Sequence, residues 1–438
     1  MKQLLIACLA LSACSHYEEN LGQTRDVSAR WAITVGTRQE EAAQGVAIDS
    51  LGDVVAVGYR QTAEVQRAGF VTKRVASDGS ERWTRVFQPR SADSYADTKA
   101  VAIAPGDGIL AAGIFLGRVD FAGITLDASD STPAYVSPAF VAKLSSAGDV
   151  VWVAAIPHVF VQAIETGADG RIYVTGGFVG PLSVAGTTLS SSSAGMGGMV
   201  IALDRDGVAL WGRVFTTNQA SAGGAVGEGI AIAPNGDVLV SGEFAGAYEF
   251  GGAVHQLPAG RQYASFLTRF RANGLYLASS VVPQSRDQEG RTRVSVDPAG
   301  ATVVYTARDP GSEPSLAPAV HVLDDAQHEV WSGNLRGPIA FTDDGALFTA
   351  QWMDHRSAGK GTLELATVDA TGFTWSTTLG TRIVAAARYS GLRAAAAGPD
   401  GGVALVGDLT GTIGIAGVEL ALTGGQLDVD ALVIMIDP

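Results

Sequence analysis

From Ala139 to Ala154 the chain reads AFVAKLSSAGDVVWVA, six residues of alternating character, a Ser/Gly/Asp turn, and a second strand that ends at Trp152. Alternation with β-branched and aromatic residues around a glycine-containing turn predicts a β-hairpin. The same design recurs as GFVTKRVASDGSERWTRV, MVIALDRDGVALWGRV and SFLTRFRANGLYLASSV, and more loosely as AVHVLDDAQHEVWSGN and LELATVDATGFTWSTT. A second hairpin type alternates with it: GVAIDSLGDVVAVG, AVAIAPGDGILAAG, IETGADGRIYVTGG, IAIAPNGDVLVSGE, VSVDPAGATVVYTA, IAFTDDGALFTAQ and AAAGPDGGVALVGD. Each has two short strands about an Asp/Asn/Pro/Gly turn, whose glycines supply the left-handed backbone of tight hairpins. Gly52, Gly108, Gly170, Gly236, Gly300, Gly345 and Gly401 mark these turns.

Pairing the two hairpin types gives four strands per repeat. The seventh repeat supplies a hairpin and a third strand, Ala431 to Ile436, before the chain stops at Pro438. At the other end Trp31 to Val35 is an orphan that resembles the last strand of each repeat. Pairing the N-terminal strand into the last sheet removes two exposed edges at once. A solenoid would need capping repeats at both ends, and none is visible. The expected fold is therefore all-β, a single seven-bladed β-propeller of four-stranded antiparallel blades closed by the N-terminal strand, spanning 29–438.

The start of the chain reads as an address. Met1-Lys2-Gln3 precedes LLIACLAL, an apolar run far too short to cross a bilayer and suited to a signal-peptide core. It ends at Leu11-Ser12-Ala13-Cys14, which resembles the lipobox of bacterial lipoproteins. That resemblance implies a signal peptide over 1–13, acylation of Cys14, and a polar tether over 14–28. Leu5-Ile6-Ala7-Cys8 also fits the pattern, but only four residues would precede that box. By the same likeness, Ser15 after the cysteine favours an outer membrane and so an extracytoplasmic, lipid-anchored protein. Cys8 and Cys14 are the only cysteines, so the mature body would hold neither disulfide nor free thiol. A formal net charge of −14 argues against nucleic acid, whose binding needs Lys/Arg to displace counterions.

The pattern VAIDxxGxxxVxG followed by FVxKxxxxGxxxW resembles the bacterial β-propeller repeat family of secreted and surface proteins, from about Trp31 to the end. The resemblance implies an extracytoplasmic interaction role and no common catalytic residues. The fourth repeat departs from it, with Ala278 in the tryptophan position and Tyr276 nearby. The fifth has Gln327 in place of the turn glycine and Thr306 where others carry glycine.

Recurrent residues invite chemical readings, and most have a structural one. Trp31, Trp83, Trp152, Trp211, Trp331 and Trp375 resemble a ring of ligand-stacking aromatics, yet one per repeat at a fixed strand position suits packing between sheets. Trp352 stands outside that register, at the end of an inner strand, and is a candidate binding aromatic. Gly58, Gly113, Gly176, Gly242 and Gly407 end second strands and suggest close backbone approach. Acidic turns such as Asp204-Arg205-Asp206-Gly207 and Asp343-Asp344-Gly345 lack the full donor alternation of a calcium loop. His321 and His328 share one hairpin without a third ligand, so no metal is expected. No G-x-S-x-G, H-E-x-x-H or nucleophilic cysteine is present, and no catalytic residue or cofactor is predicted.

Both kinds of tight turn must emerge on one side of the ring. The opposite side carries the variable connections, where four repeats insert a glycine-centred segment: RVDFAGITL, PLSVAGTTL, AYEFGGAVHQL and TIGIAGVEL. Each reads as a small hairpin, and variable loops on a rigid scaffold are common binding sites. Tyr59, Glu243, Gln351, Trp352 and Asp408 are the candidate binding residues near its centre. The expected function is a non-enzymatic, monomeric binding module for protein or glycan. The alternatives are an envelope-assembly scaffold, resembling the propeller lipoprotein of the outer-membrane barrel-assembly machine, and a propeller enzyme such as a lyase or quinone-dependent dehydrogenase.

Overall fold

The computed structural model describes residues 28–437 apart from 37–38, 64–65, 129–136, 191–195, 218–223, 253, 283–290, 298–299, 301, 308–318, 325–326, 335–336, 342–346, 356–359, 370–371, 384–390, 410–411, 416–417 and 421–428. Cys14 and its neighbours, and Asp343 to Gly345, lie outside the described residues. All regular structure among the described residues is β-strand, paired antiparallel.

The alternating segments form successive four-stranded meanders. The first comprises Glu41–Ile48, Val54–Ala63, Gln66–Arg74 and Glu81–Pro89. The second comprises Tyr95–Ala104, Gly108–Phe121, Ala139–Leu144 and Val150–Ile156. The third comprises Val159–Thr166, Ile172–Phe178, Gly197–Leu203 and Ala209–Val214, and the fourth Ala225–Ile232, Val238–Phe244, Ala264–Phe270 and Tyr276–Val282. The fifth comprises Arg291–Val296, Thr302–Ala307, Ala319–Leu323 and Glu329–Asn334, and the sixth Ile339–Phe341, Leu347–His355, Lys360–Asp369 and Gly372–Ile383. The C-terminal meander holds Gly391–Ala397, Val403–Leu409 and Asp430–Asp437, and Ser28–Val35 takes its fourth place. The N-terminal strand pairs along its length, Trp31 opposite Met435 and Ile33 opposite Val433. Arg30 adds an ion pair to Asp437 and another to Asp400 at 2.8 Å.

The apolar core is distributed between meanders rather than within them. Val57, Phe87, Phe115 and Phe140 join the first and second; Val141, Val161, Val174 and Ile201 join the second and third. Corresponding clusters join the later neighbours. One more, with Trp31, Val46, Val54, Val406 and Val433, joins the C-terminal meander to the first.

The sheets are not all four-stranded. In the second meander Gly108–Phe121 runs on past the expected strand end, and its far part pairs with Phe87–Pro89 of the first. The two meanders thereby merge into a nine-stranded sheet. A similar link joins Gly372–Ile383 of the sixth meander to Thr412–Ile415, and a bridge joins Thr216 to Glu249. These links come from the inserted segments, which do form hairpins. They also pack against the sheets. The apolar residue before each turn, Phe121, Val184, Phe250 and Ile415, is buried. Phe121 lies 4.8 Å from both Phe87 and Phe140, and Phe250 lies 4.1 Å from Phe266 and 5.4 Å from Phe215. The hairpins fill the gap between diverging sheets and cover an edge that would otherwise be exposed.

Among the described residues, a recurrent latch fixes four outermost strands to the next meander. Trp31 donates its indole N–H to the Ala76 carbonyl at 2.9 Å, Trp83 to Ser146 at 3.1 Å, Trp152 to Arg205 at 3.3 Å and Trp211 to Ala272 at 3.0 Å. Each ring lies against a turn glycine of left-handed φ: Gly79, Gly148, Gly207 and Gly274. A Cβ there would come within 2.6 to 3.0 Å of the indole. Trp152 does not end its strand, which continues to Ile156. Trp331 and Trp375 occupy matching register positions, opposite Val322 and Thr367.

Most inner turns are as read: Gly52, Gly170, Gly236, Gly300 and Gly401 have positive φ. In the second meander the turn sits one residue earlier, with Gly106 and Asp107 in the left-handed region instead of Gly108. Gln327 takes φ 64° where a glycine is usual, and its buried side-chain amide has no hydrogen-bond partner. Gln327→Gly is therefore expected to stabilise the protein by about 1 kcal/mol, through relief of left-handed strain and of an unsatisfied amide. A thermal melt with an unchanged or lowered midpoint would contradict this.

Candidate functional site: a polar belt on the innermost strands

Five innermost strands carry a β-bulge at the same height. The register slips between Ala43 and Gly45, Thr98 and Ala100, Val161 and Ala163, Gly227 and Gly229, and Leu392 and Ala394. The skipped residues are Gln44, Lys99, Gln162, Glu228 and Arg393, and all five are polar. A bulge inserts one residue into a ladder and re-aims its side chain. The partner strand answers each bulge with a glycine: Gly58, Gly113, Gly176, Gly242 or Gly407. A Cβ on any of these would sit 1.8 to 2.0 Å from the carbonyl oxygen of Ala42, Asp97, Phe160, Val226 or Gly391. In the fifth meander Thr292 pairs Thr306 without a slip, so no glycine is required there.

The belt is wired both within and between meanders. Gln44 donates to Asp97 at 2.8 Å, and Lys99 pairs with the other oxygen of Asp97 at 2.7 Å. Arg293 donates to the Glu228 carbonyl at 2.8 Å and to that of Gln162 at 3.5 Å. The Glu228 carboxylate accepts from the Thr292 N–H at 2.7 Å. Arg393 donates to Asp408 at 2.8 Å. Amide, cationic and anionic groups thus occupy matching register positions of these strands, near the end where the variable connections leave. Groups of these types offer directed donors and acceptors.

The sequence-predicted residues are partly gathered here. Asp408 is buried and holds Arg393 of the belt. Tyr59 is also buried; its hydroxyl donates to Glu40 at 2.6 Å, and Arg67 lies 4.1 Å above its ring. Burial first, then the hydrogen bond to Glu40, pushes the phenol well above its usual range, and Asp408 adds to the rise. Tyr59 and Asp408 therefore share the junction of the first and C-terminal meanders. Glu243 is part-exposed in the fourth meander, opposite Val226 and Ser265, and is not in that group. Gln351 and Trp352 lie opposite Glu364 and Leu363 within a strand that continues to His355, so Trp352 does not end it. The belt residues themselves were missed. Their signal is the polar residue just before the small-plus-apolar run of each first strand: QGVAI, KAVAI, QAIET, EGIAI and RAAAA.

Other motifs resolve into local structure. Asp204 accepts from the Asp206 and Val208 N–H groups at 2.9 Å, so its turn caps itself. His321 bonds Glu329 at 2.6 Å, whereas exposed His328 stands 3.5 Å from Asp324; the two histidines do not form a pair site. Among the described residues no group of three or more His, Cys, Asp or Glu could hold a metal ion.

Below the belt, Glu165 pairs with Tyr173 where equivalent register positions are Ala47, Ala102, Ala231, Ser295, Ala340 and Ala396. Burial pushes its carboxyl up to about 7, against one opposing hydrogen bond from the Thr166 N–H. A raised acid is protonated in the folded chain while the unfolded chain ionises. Stability is full below the ordinary value of 4.5, falls as pH rises through the window up to about 7, and stays low above it. Glu165→Ala is expected to gain about 2–3 kcal/mol near pH 8 and almost nothing near pH 4. Urea unfolding at both pH values checks this; an equal effect at the two would contradict it.

No protein-family model matches the chain, and no curated protein matches it. Among solved structures it is similar to a protein of unknown function from Dyadobacter fermentans, at 11% identity, 94% coverage of this chain, 99% of that one and a TM-score of 0.48. It is similar to the Dos1 propeller at 10% identity, with 94% and 95% coverage and a TM-score of 0.43. A quinohemoprotein alcohol dehydrogenase from Comamonas testosteroni is similar at 11% identity, with 94% and 76% coverage and a TM-score of 0.45. Likenesses this weak identify neither an activity nor a ligand.

Proposed function

We propose that the chain is an extracytoplasmic, lipid-anchored, seven-bladed β-propeller that binds a protein or glycan partner at its variable face without catalysing a reaction. Supporting the ring, the innermost strands neighbour one another in chain order, and Glu41–Ile48 of the first meander lies beside Gly391–Ala397 of the last. The pairing of Ser28–Val35 with Asp430–Asp437 fits closure by the N-terminal strand. The lipobox-like Leu11 to Cys14 supports the anchor. The observation that carries the binding role is the belt: all five bulges put a polar residue at one level, and each is matched by a glycine that lets it form.

The test is affinity capture with crosslinking from detergent-solubilised envelope, using the full chain and a Lys99→Ala/Gln162→Ala/Arg393→Ala variant whose melting is checked first. The expected result is a specific envelope partner, protein or glycan, that the folded variant fails to retain. Equal retention by the variant would contradict binding at the belt.

A further inference from the structure

The two ends of the meanders differ in a way the belt does not use. Tight turns between first and second strands, and between third and fourth, emerge together: Gly170 lies against Arg205, and Gly52 against Ala76. Among the described residues seven large apolar side chains are notably exposed, and six of them cluster at this end. Leu51 is in an inner turn, Val208 and Leu275 are in outer turns, and Val151, Leu210 and Leu277 follow at the start of outermost strands. Only Val254, on an inserted hairpin, lies elsewhere. Five of the six belong to the second, third and fourth meanders.

The chain enters at the same end. Ser28 pairs with Asp437, and Asp437 closes a third strand, whose end is at the tight turns. Ser28 therefore stands at the tight-turn end, and a stretch as long as 14–27 spans at most about 50 Å when fully extended. In the proposed ring the C-terminal meander, which receives this strand, stands across the axis from the third and fourth. An anchor on one side and an apolar rim on the other define a plane.

We propose that the tight-turn end rests on the lipid surface that holds the anchor, with Val151, Val208, Leu210, Leu275 and Leu277 seated among the headgroups and acyl boundary. This rests on the lipid-anchor reading above. Apolar contacts at an interface add to acyl anchoring, in proportion to the area they bury. The outer turns at this end carry both signs, Asp149, Asp204 and Asp206 beside Arg205 and Arg271, which suits a zwitterionic surface. In this pose the belt and the variable connections face away from the membrane, toward a partner.

The test places an environment-sensitive fluorophore on single cysteines, Val208→Cys, Leu275→Cys and, as the opposite-end control, exposed Thr187→Cys. The full-length chain, processed by the cell, is reconstituted into vesicles of phosphatidylethanolamine and phosphatidylcholine. Expected are lipid-nitroxide quenching and iodide shielding at 208 and 275, and the reverse at 187. Free iodide access at 208 and 275, or equal lipid quenching at all three, overturns the proposal. The mass of the N-terminal peptide reads the anchor separately: no acyl chains would sink the anchor reading alone. The same labels are then read on vesicles carrying chelating lipid that holds an N-terminal histidine tag, where loss of quenching at 208 and 275 again overturns the docking.

Discussion

Replacing Gly176 with alanine is expected to destabilise the protein by about 3 kcal/mol or more, the upper range for a buried steric clash. The added Cβ would stand 1.9 Å from the Phe160 carbonyl oxygen and 3.1 Å from the Val161 Cα. Both are backbone atoms of a bulged strand paired along its length with the strand that carries Gly176, so neither can rotate away. The only relief is to undo the bulge, which would shift Gln162 out of the belt and move every following residue of the strand to the other face. Gly236→Ala is the control. It meets nothing within 4 Å and has φ 83°, so only left-handed strain of about 1–2 kcal/mol applies. Urea unfolding of the two variants should separate them clearly. Equal losses would mean that the close approach at Gly176 is not rigid.

Trp31→Ala is expected to cost about 3–5 kcal/mol, as for other buried large-to-small aromatic changes. The indole is 7% exposed, packs in the cluster between the first and C-terminal meanders, and satisfies the Ala76 carbonyl. Its loss frees a strand that, among the described residues, has no hairpin connection to its sheet. Hydrogen exchange should therefore accelerate first in Ser28–Val35. Trp211→Ala removes an equivalent latch in mid-chain and should cost a similar amount while leaving that strand protected. Identical exchange patterns in the two variants would contradict a special role for the terminal strand.

Much of this was legible in the residues, for identifiable reasons. Period-two alternation and turn glycines fix hairpins locally, which is why VAIDSLGDVV or FVAKLSSAGDVVWV reads correctly without context. Tryptophan at a constant place announced packing between repeats, although not the indole hydrogen bond to the next turn. The acidic turn at Asp204 is a self-capped turn, since Asp204 uses its carboxylate on its own backbone. Two features escaped. The extension of Gly108–Phe121 into the neighbouring sheet depends on contacts with Phe87, more than 30 positions earlier in the chain. The bulges are set by pairing between two strands, so one strand's pattern alone does not reveal them. Gln44, Lys99, Gln162, Glu228 and Arg393 share a position only once the register aligns them. Gly58 and its equivalents had signalled close approach, but not that the approach served a polar residue opposite.

The most direct measurement concerns the meeting of the chain's two ends. Adjacent pairs in an antiparallel ladder alternate between hydrogen-bonded and non-hydrogen-bonded geometry. Two variants lacking Cys8 and Cys14, one with Ile33→Cys and Val433→Cys and the other with Ala32→Cys and Ile434→Cys, therefore sample both. At least one should form an intrachain disulfide in the folded monomer under mild oxidation, and its bridge should raise the melting temperature. Two folded monomers that both keep free thiols would show that the N-terminal strand does not complete the last sheet.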